Sequence, residues 1–449
     1  MKLRRKLLVL LAITTVLTPA MAKDHKELKE VVNRRSSLHT ILIESDAFPR
    51  KETVLDAYNK APFPVKYNNH CLVERSFNPK AYAITDEERA AIAAQLPEKT
   101  GAGKMLKGIG GGMKKQISDI TGGLVDANAA DMPLIIDKYF KANKIANKLV
   151  SKWYNRDADG CFNMQLIGDR GYYNASEMEL NIAKGSATGN ASVRDAGEEL
   201  INKTFVVVNK LHFMSNEIVA KAIKDALVAS ASEMSGPAKM IALKGADKLY
   251  EKTKEGYSVW TTSYLYKLKW NDSIQNIFYD ELWMDKESVD ATKKLAFDNT
   301  DLFELEFVGK ERAKSLVTFS LKETRTEEEV LALSTVRNID RVYAKLQKKY
   351  DVFKTRTPLY SGSPISAKIG MKEGLEGGEK FEVFEQLLDP ETGLTKYVSK
   401  GKITVDKKSV WDNRFVAGAT PEEQESEASV TKFKGGKKFY SGMLIRQIK

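Results

Sequence analysis

The run Thr204-Phe205-Val206-Val207-Val208 constrains this chain most. It is too short to cross a bilayer and too uniformly apolar for a strand with one wet face, so it reads as a strand buried in a sheet. A buried sheet needs helices to cover it, and the surrounding pattern supplies them. Residues 37–44 carry the branched side chains of another strand, and residues 52–60 read as a helix. Residues 24–35 read as a short polar helix, and Thr85 before Asp86-Glu87-Glu88 is a good N-cap for a helix ending before Pro97. From Pro133, the side chains Leu134, Ile135, Phe140, Ile145, Leu149 and Trp153 recur at helical spacing, which predicts one long helix ending near Asn155. Residues 161–167 alternate like a strand, and residues 176–184 and 192–201 look helical.

Downstream, residues 216–254 are rich in Ala and Lys and are broken at Gly236-Pro237, which predicts a helical hairpin. Residues 257–270 follow as a long strand with Trp260, Thr262, Tyr264, Tyr266, Leu268 and Trp270 on one face, a stripe that suits a core more than a ligand platform. Residues 302–308 and 316–321 predict two further strands. Residues 327–350 predict a helix whose inner face is Val330, Leu331, Leu333, Val336, Ile339, Val342 and Leu346. After Pro358 the grammar becomes short strands and Gly turns, at 365–369, 381–384, 397–405 and 439–445, with an acidic loop at 420–427. The expected fold class is α+β: a helix-covered mixed sheet domain over 23–355, with insertions at 101–131 and 216–254, and a small C-terminal all-β barrel-like module over 356–449.

The first residues bear on compartment. Lys2, Arg4, Arg5 and Lys6 precede an apolar run over 7–17 and a small-residue cleavage site at Ala20-Met21-Ala22, the grammar of a secretory signal over 1–22. Export to the periplasm or beyond is therefore expected, and it makes nucleic acid the wrong partner. Removing the four basic residues of the leader brings the formal charge from +11 to +7, and that excess is dispersed, as on a solvated surface. An oxidising compartment would let Cys71 and Cys161 form a disulfide, two buried thiols being the alternative. The Gly- and Lys-rich insertion carries Met105, Ile109, Met113, Ile117 and Ile120 in a weak amphipathic pattern, so residues 101–124 could order on a membrane surface or stay a flexible loop.

Catalytic motifs fit poorly. Gly103-Lys104 lacks the first glycine and the hydroxyl residue of a phosphate-binding loop, and Lys99-Thr100-Gly101 has no Ser-x-x-Lys upstream. His25, His39, His70 and His212 show no zinc spacing. One motif has metal-ligand spacing: Asn155, Asp157 and Asp159 stand at positions one, three and five of a calcium loop, with Gly160 at six. Leu166 at the twelfth position is no bidentate acid, so an ordinary Asx turn competes with calcium binding.

Leu166-Ile167-Gly168-Asp169-Arg170-Gly171, with Asp195-Ala196-Gly197-Glu198-Glu199-Leu200-Ile201 and the strand after it, resembles the α/β domain of the curli secretion component and related envelope assembly proteins. Residues 367–375, with Gly378, Phe381 and Val383, are similar to the small barrel closing flagellar assembly protein T. The resemblance implies a non-enzymatic binding or scaffold component of the cell envelope, with envelope proteins as partners. The alternative is a hydrolase of envelope polymers using paired carboxylates, for which Asp169, Glu177 and Glu198 are the nearest in sequence.

Overall fold

A computed structural model describes residues 33–88, 131–174, 199–317, 325–388, 395–416, 429–436 and 439–448. The helices expected at 24–35, 176–184 and 192–201, the insertion at 101–131 and the acidic loop at 420–427 lie wholly or largely outside them. In chain order the first part runs β1 (Ser37–Ile43), α1 (Lys51–Lys60), β2 (Asn68–Asn69), β3 (Ser76–Phe77), α2 (Met132–Ala142), α3 (Ile145–Trp153), α4 (Gln165–Asn174) and β4 (Thr204–Ser215). Then come α5 (Asn216–Ser232), α6 (Gly236–Thr253), β5 (Tyr257–Leu268), α7 (Asp272–Ile277), α8 (Ala291–Asn299), β6 (Leu305–Val317) and α9 (Glu327–Lys349).

β4 is central, as its composition demands. β1 lies parallel to it on one side, with the short strands β2 and β3 on the outer edge of β1, and β5 and β6 continue antiparallel on the other side. The strand period of two sends alternate side chains to opposite helical layers. On one face Leu38, Leu42, Phe205, Val207 and Val259 pack against Val54 and Tyr58 of α1 and Leu331, Val342 and Leu346 of α9. On the other, Ile41, Ile43, Val206, Val208, Tyr264 and Tyr266 pack against Ile135, Ile136 and Tyr139 of α2 and Ile145 and Leu149 of α3. Each such side chain removed from water contributes about 1.5–3 kcal/mol, so the sheet is held from both sides. A polar pin crosses the first layer: buried Asn209 donates to the hydroxyls of Tyr58 (3.1 Å) and Tyr343 (3.4 Å) and accepts from Ser263 Oγ (2.5 Å).

All seven residues expected on the inner face of α9 are buried, and the helix opens with a capping box between Thr326 and Glu329. α5 and α6 form the hairpin predicted from the Gly236-Pro237 break. Three expectations are corrected. The helix expected over 133–155 is two helices, because Lys144 takes a left-handed conformation (φ 51°) after Asn143, whose amide turns back to Tyr139 O and across to Tyr82 Oη. The strand expected at 161–167 is a turn entering α4. Asn163 Oδ1 accepts from Gln165 N (3.1 Å), and Phe162 N is already bound to Met284 O (2.8 Å), so no ladder forms there. The two strands expected at 302–308 and 316–321 are one strand, β6, as far as the described residues reach. The polar stretch read as a break stays extended, because Lys310 and Lys314 lay their ammonium groups over the Tyr264 and Trp260 rings of β5.

The C-terminal part is a seven-stranded, curled antiparallel sheet, a half-barrel. It comprises β7 (Thr357–Pro358), β8 (Ser361–Gly362), β9 (Ile365–Ala367), β10 (Lys380–Leu388), β11 (Thr395–Val405), β12 (Thr431–Gly435) and β13 (Leu444–Gln447), in the order β7-β13-β10-β11-β12-β9-β8. It closes on its own core of Ile369, Val383, Ile403, Val405 and Ile445. Both sheets belong to one compact unit, Val32–Lys449. No helix among the described residues is long and apolar enough to cross a membrane.

Candidate functional site

The residues singled out in the sequence scatter. Asp157 Oδ1 accepts from Cys161 N (2.9 Å), Asn155 Nδ2 donates to Asn163 Oδ1 (3.0 Å), and Lys294 Nζ binds Ala158 O (2.9 Å), so the loop holding Asn155, Asp157 and Asp159 is an Asx turn tied down onto α8. Among the described residues no group of three or more His, Cys, Asp or Glu is placed to hold a metal ion. Cys71 and Cys161 are both free: the Cys71 thiol lies 3.7 Å from Thr40 Oγ1 beside β1, while Cys161 is buried in the Asx-turn loop. Asp169 is exposed on α4, and Glu177 and Glu198 lie outside the described residues.

His70 and Arg170 meet in a place sequence spacing did not suggest. The His70 ring is fully buried and stacks on Trp153 at 4.6 Å; its Nε2–H donates to Leu149 O (3.0 Å) and its Nδ1 accepts from Arg170 Nη1 (2.9 Å). The Arg170 guanidinium lies 4.6 Å from the Trp153 ring centroid and donates to Asn69 O (2.9 Å). Burial and the adjacent Arg170 hold His70 far below its ordinary range, and burial brings Arg170 down to about 10. His39, buried on β1, accepts from Leu72 N and is held down to about 3 by burial, then by the charges of Arg75 and Lys152. These groups clamp α3 and α4 onto the edge of β1, and the neutral His70 imidazole, bonded at both ring nitrogens, suits that structural task.

A more open concavity among the described residues lies on the opposite helical layer. Glu52, Thr53, Asp56, Ala57 and Lys60 of α1 face Glu328, Glu329, Ala332 and Val336 of α9 across a groove of about 520 Å³. Those spacings, i to i+4 to i+8 on each helix, put one edge of each helix in the groove while Val54 and Tyr58 turn to the core. The small residues Ala57, Ala61 and Ala332 keep the floor open. Four carboxylates and one ammonium line it. Lys60 pairs with Asp56 (2.9 Å), Arg50 pairs with Glu327 (2.8 Å) and Glu328, and Glu52 has no ion-pair partner among the described residues.

The third wall is Phe415, from the C-terminal part. Arg337 Nε holds Phe415 O (2.8 Å), and the same junction fixes Asn413, which donates to Glu373 Oε2 (2.8 Å) and accepts from Lys372 N (2.8 Å). Gly370 is needed there, since a Cβ would stand 2.2 Å from Trp411 O. Between the two parts lies Asp340, its side chain 12% exposed, 3.9 Å from Lys372 Nζ, with Oδ2 unbonded. Burial raises its carboxyl to about 7 despite Lys372. Sequence reading missed the groove because its walls come from positions about 280 and 360 residues apart, and the only local trace is a run of small residues on two amphipathic helices.

A scan against protein-family models gives no match, and a comparison with curated proteins gives none.

Proposed function

We propose that this chain is an exported, non-enzymatic binding or scaffold component of the bacterial cell envelope, and that a partner docks in the groove between α1, α9 and Phe415. The groove carries the reading: an apolar floor of Ala57, Ala332, Val336 and Phe415 beneath the carboxylates of Glu52, Asp56, Glu328 and Glu329. An apolar floor supplies the burial that drives association, and a rim on which four carboxylates outnumber the one ammonium of Lys60, with Glu52 outside any ion pair among the described residues, favours a basic partner. The complementary occupant is a short segment with apolar anchors and flanking Lys or Arg. The secretory grammar of residues 1–22 and the likeness of residues 166–171 and 195–208 to envelope assembly proteins agree with that role.

The test is a photo-crosslinking amino acid placed at Ala332 in living cells, with Val289, 65% exposed in the loop before α8, as control position. A recurrent envelope protein captured from position 332 and not from 289 supports the proposal. Equal capture at both positions, or none at 332, defeats it.

A further inference from the structure

The α5–α6 hairpin leaves the sheet between β4 and β5 and carries little of its own core. Beyond Asn216, Val219 and Ala220 at its base, its buried residues are two alanines, Ala231 and Ala246. Such small side chains let the two helices approach closely, and Lys224 bridges them, pairing with Asp247 (2.7 Å) and lying over the Tyr250 ring. At the tip stand large apolar residues in water: Met234 is 46% exposed, Met240 61% and Ile241 73%. A hairpin end of this kind is not explained by packing among the described residues. Behind the tip, Lys244, Lys248 and Lys252 follow at i, i+4 and i+8, a stripe along the same solvent face of α6 as Ile241. None of the three has an ion-pair partner among the described residues, whereas the acids of that helix do: Asp247 is taken by Lys224, and Glu251 by Lys254 (2.7 Å).

From this arrangement we propose that the hairpin is a peripheral anchor to an anionic lipid surface, its Met234–Met240–Ile241 tip entering the headgroup and acyl boundary and its lysine stripe lying among the headgroup phosphates. Apolar tip and basic shaft are the two ingredients of interfacial binding, and each is weak alone. The face is charge-complementary to acidic lipid, and a lysine stripe beside a short apolar tip suits an element lying on a bilayer, not spanning one. The proposal does not depend on the groove, and failure of crosslinking at Ala332 would leave it standing.

The mature chain is sedimented with vesicles of phosphatidylcholine alone and of phosphatidylcholine with phosphatidylglycerol. Binding is expected only to the second, weakened by salt. The variant K244Q/K248Q/K252Q is expected to bind about a hundredfold more weakly, and M240Q/I241Q at least about tenfold. Met240 and Ile241 are exposed, and Lys244, Lys248 and Lys252 are exposed with no ion-pair partner among the described residues, so circular dichroism and melting of both variants should match the parent. No binding to acidic vesicles, or binding unchanged in both variants, overturns the proposal. So does a parent chain that is dimeric and becomes monomeric in M240Q/I241Q without binding lipid, since the tip would then cover a second copy.

Discussion

Asp340 offers the sharpest perturbation, because it is titratable and sits where the α9 layer meets the C-terminal half-barrel. Its pKa is raised from 3.8 to about 7 by burial, opposed by Lys372. The folded chain therefore holds a proton that the unfolded chain has released, and stability falls as pH rises from the unfolded value to the folded one. Above about pH 7 the fold carries the whole penalty, at most about 4 kcal/mol for a shift of this size. Asp340→Asn keeps the shape and removes the charge. Urea unfolding of parent and variant at several pH values should show similar stability near pH 4, then a variant gaining about 2–4 kcal/mol by about pH 8. Other titrating groups are shared by both proteins and cancel in the difference. A difference independent of pH, or a variant less stable at alkaline pH, would refute the reasoning. Because the same junction holds Phe415 through Arg337, the parent's half-barrel should also become more susceptible to proteolysis at alkaline pH, and the variant's should not.

Other expectations follow from single contacts. His39, held down to about 3 from 6.5, is buried neutral, so its contribution is complete above the unfolded value and is lost as pH falls; each pH unit below it costs about 1.4 kcal/mol, and His39→Gln should flatten the acid limb of a urea stability profile. Gly309→Ala puts a Cβ 2.2 Å from Tyr350 Oη, which is bonded to Lys310 O, and should cost about 1–3 kcal/mol, while Gly245→Ala, with nothing within 4 Å, should gain up to about 1 kcal/mol. Thermal melts showing the same sign for both glycine variants would contradict this. Asp157→Ala should cost about 1 kcal/mol by freeing Cys161 N, and millimolar calcium should leave the parent's melting temperature where it was; a calcium-dependent rise abolished in the variant would restore the metal reading.

Much of the sheet was legible, because burial on both faces writes itself into composition. Phe205 to Val208 had to be central, the α9 stripe from Val330 to Leu346 had to face it, and Gly236-Pro237 had to break a hairpin. Errors arose where a local side-chain bond overrode a pattern. Asn163 capped a helix in a stretch whose alternation suggested a strand, and Lys144 entered a left-handed turn inside an otherwise helical period. In β6, Lys310 and Lys314 sat on aromatic rings in a strand that polarity alone would have ended at 308. The candidate site was less legible than the fold. Its walls, Glu52, Ala332 and Phe415, converge only after both sheets and α9 are assembled, and nothing in their spacing marks them beforehand. The exposed hydrophobicity of Met240 and Ile241 was equally invisible, since apolar residues scattered along an Ala- and Lys-rich helix read as ordinary until the folded chain leaves them in water.

Export underlies both proposed surfaces, and it is tested by one measurement: fractionating cells and weighing the intact protein by mass spectrometry. A chain beginning at Lys23, recovered from the envelope or the exported fraction, is the expected result. A chain that keeps residues 1–22 and stays in the cytoplasm would contradict the envelope function at its root.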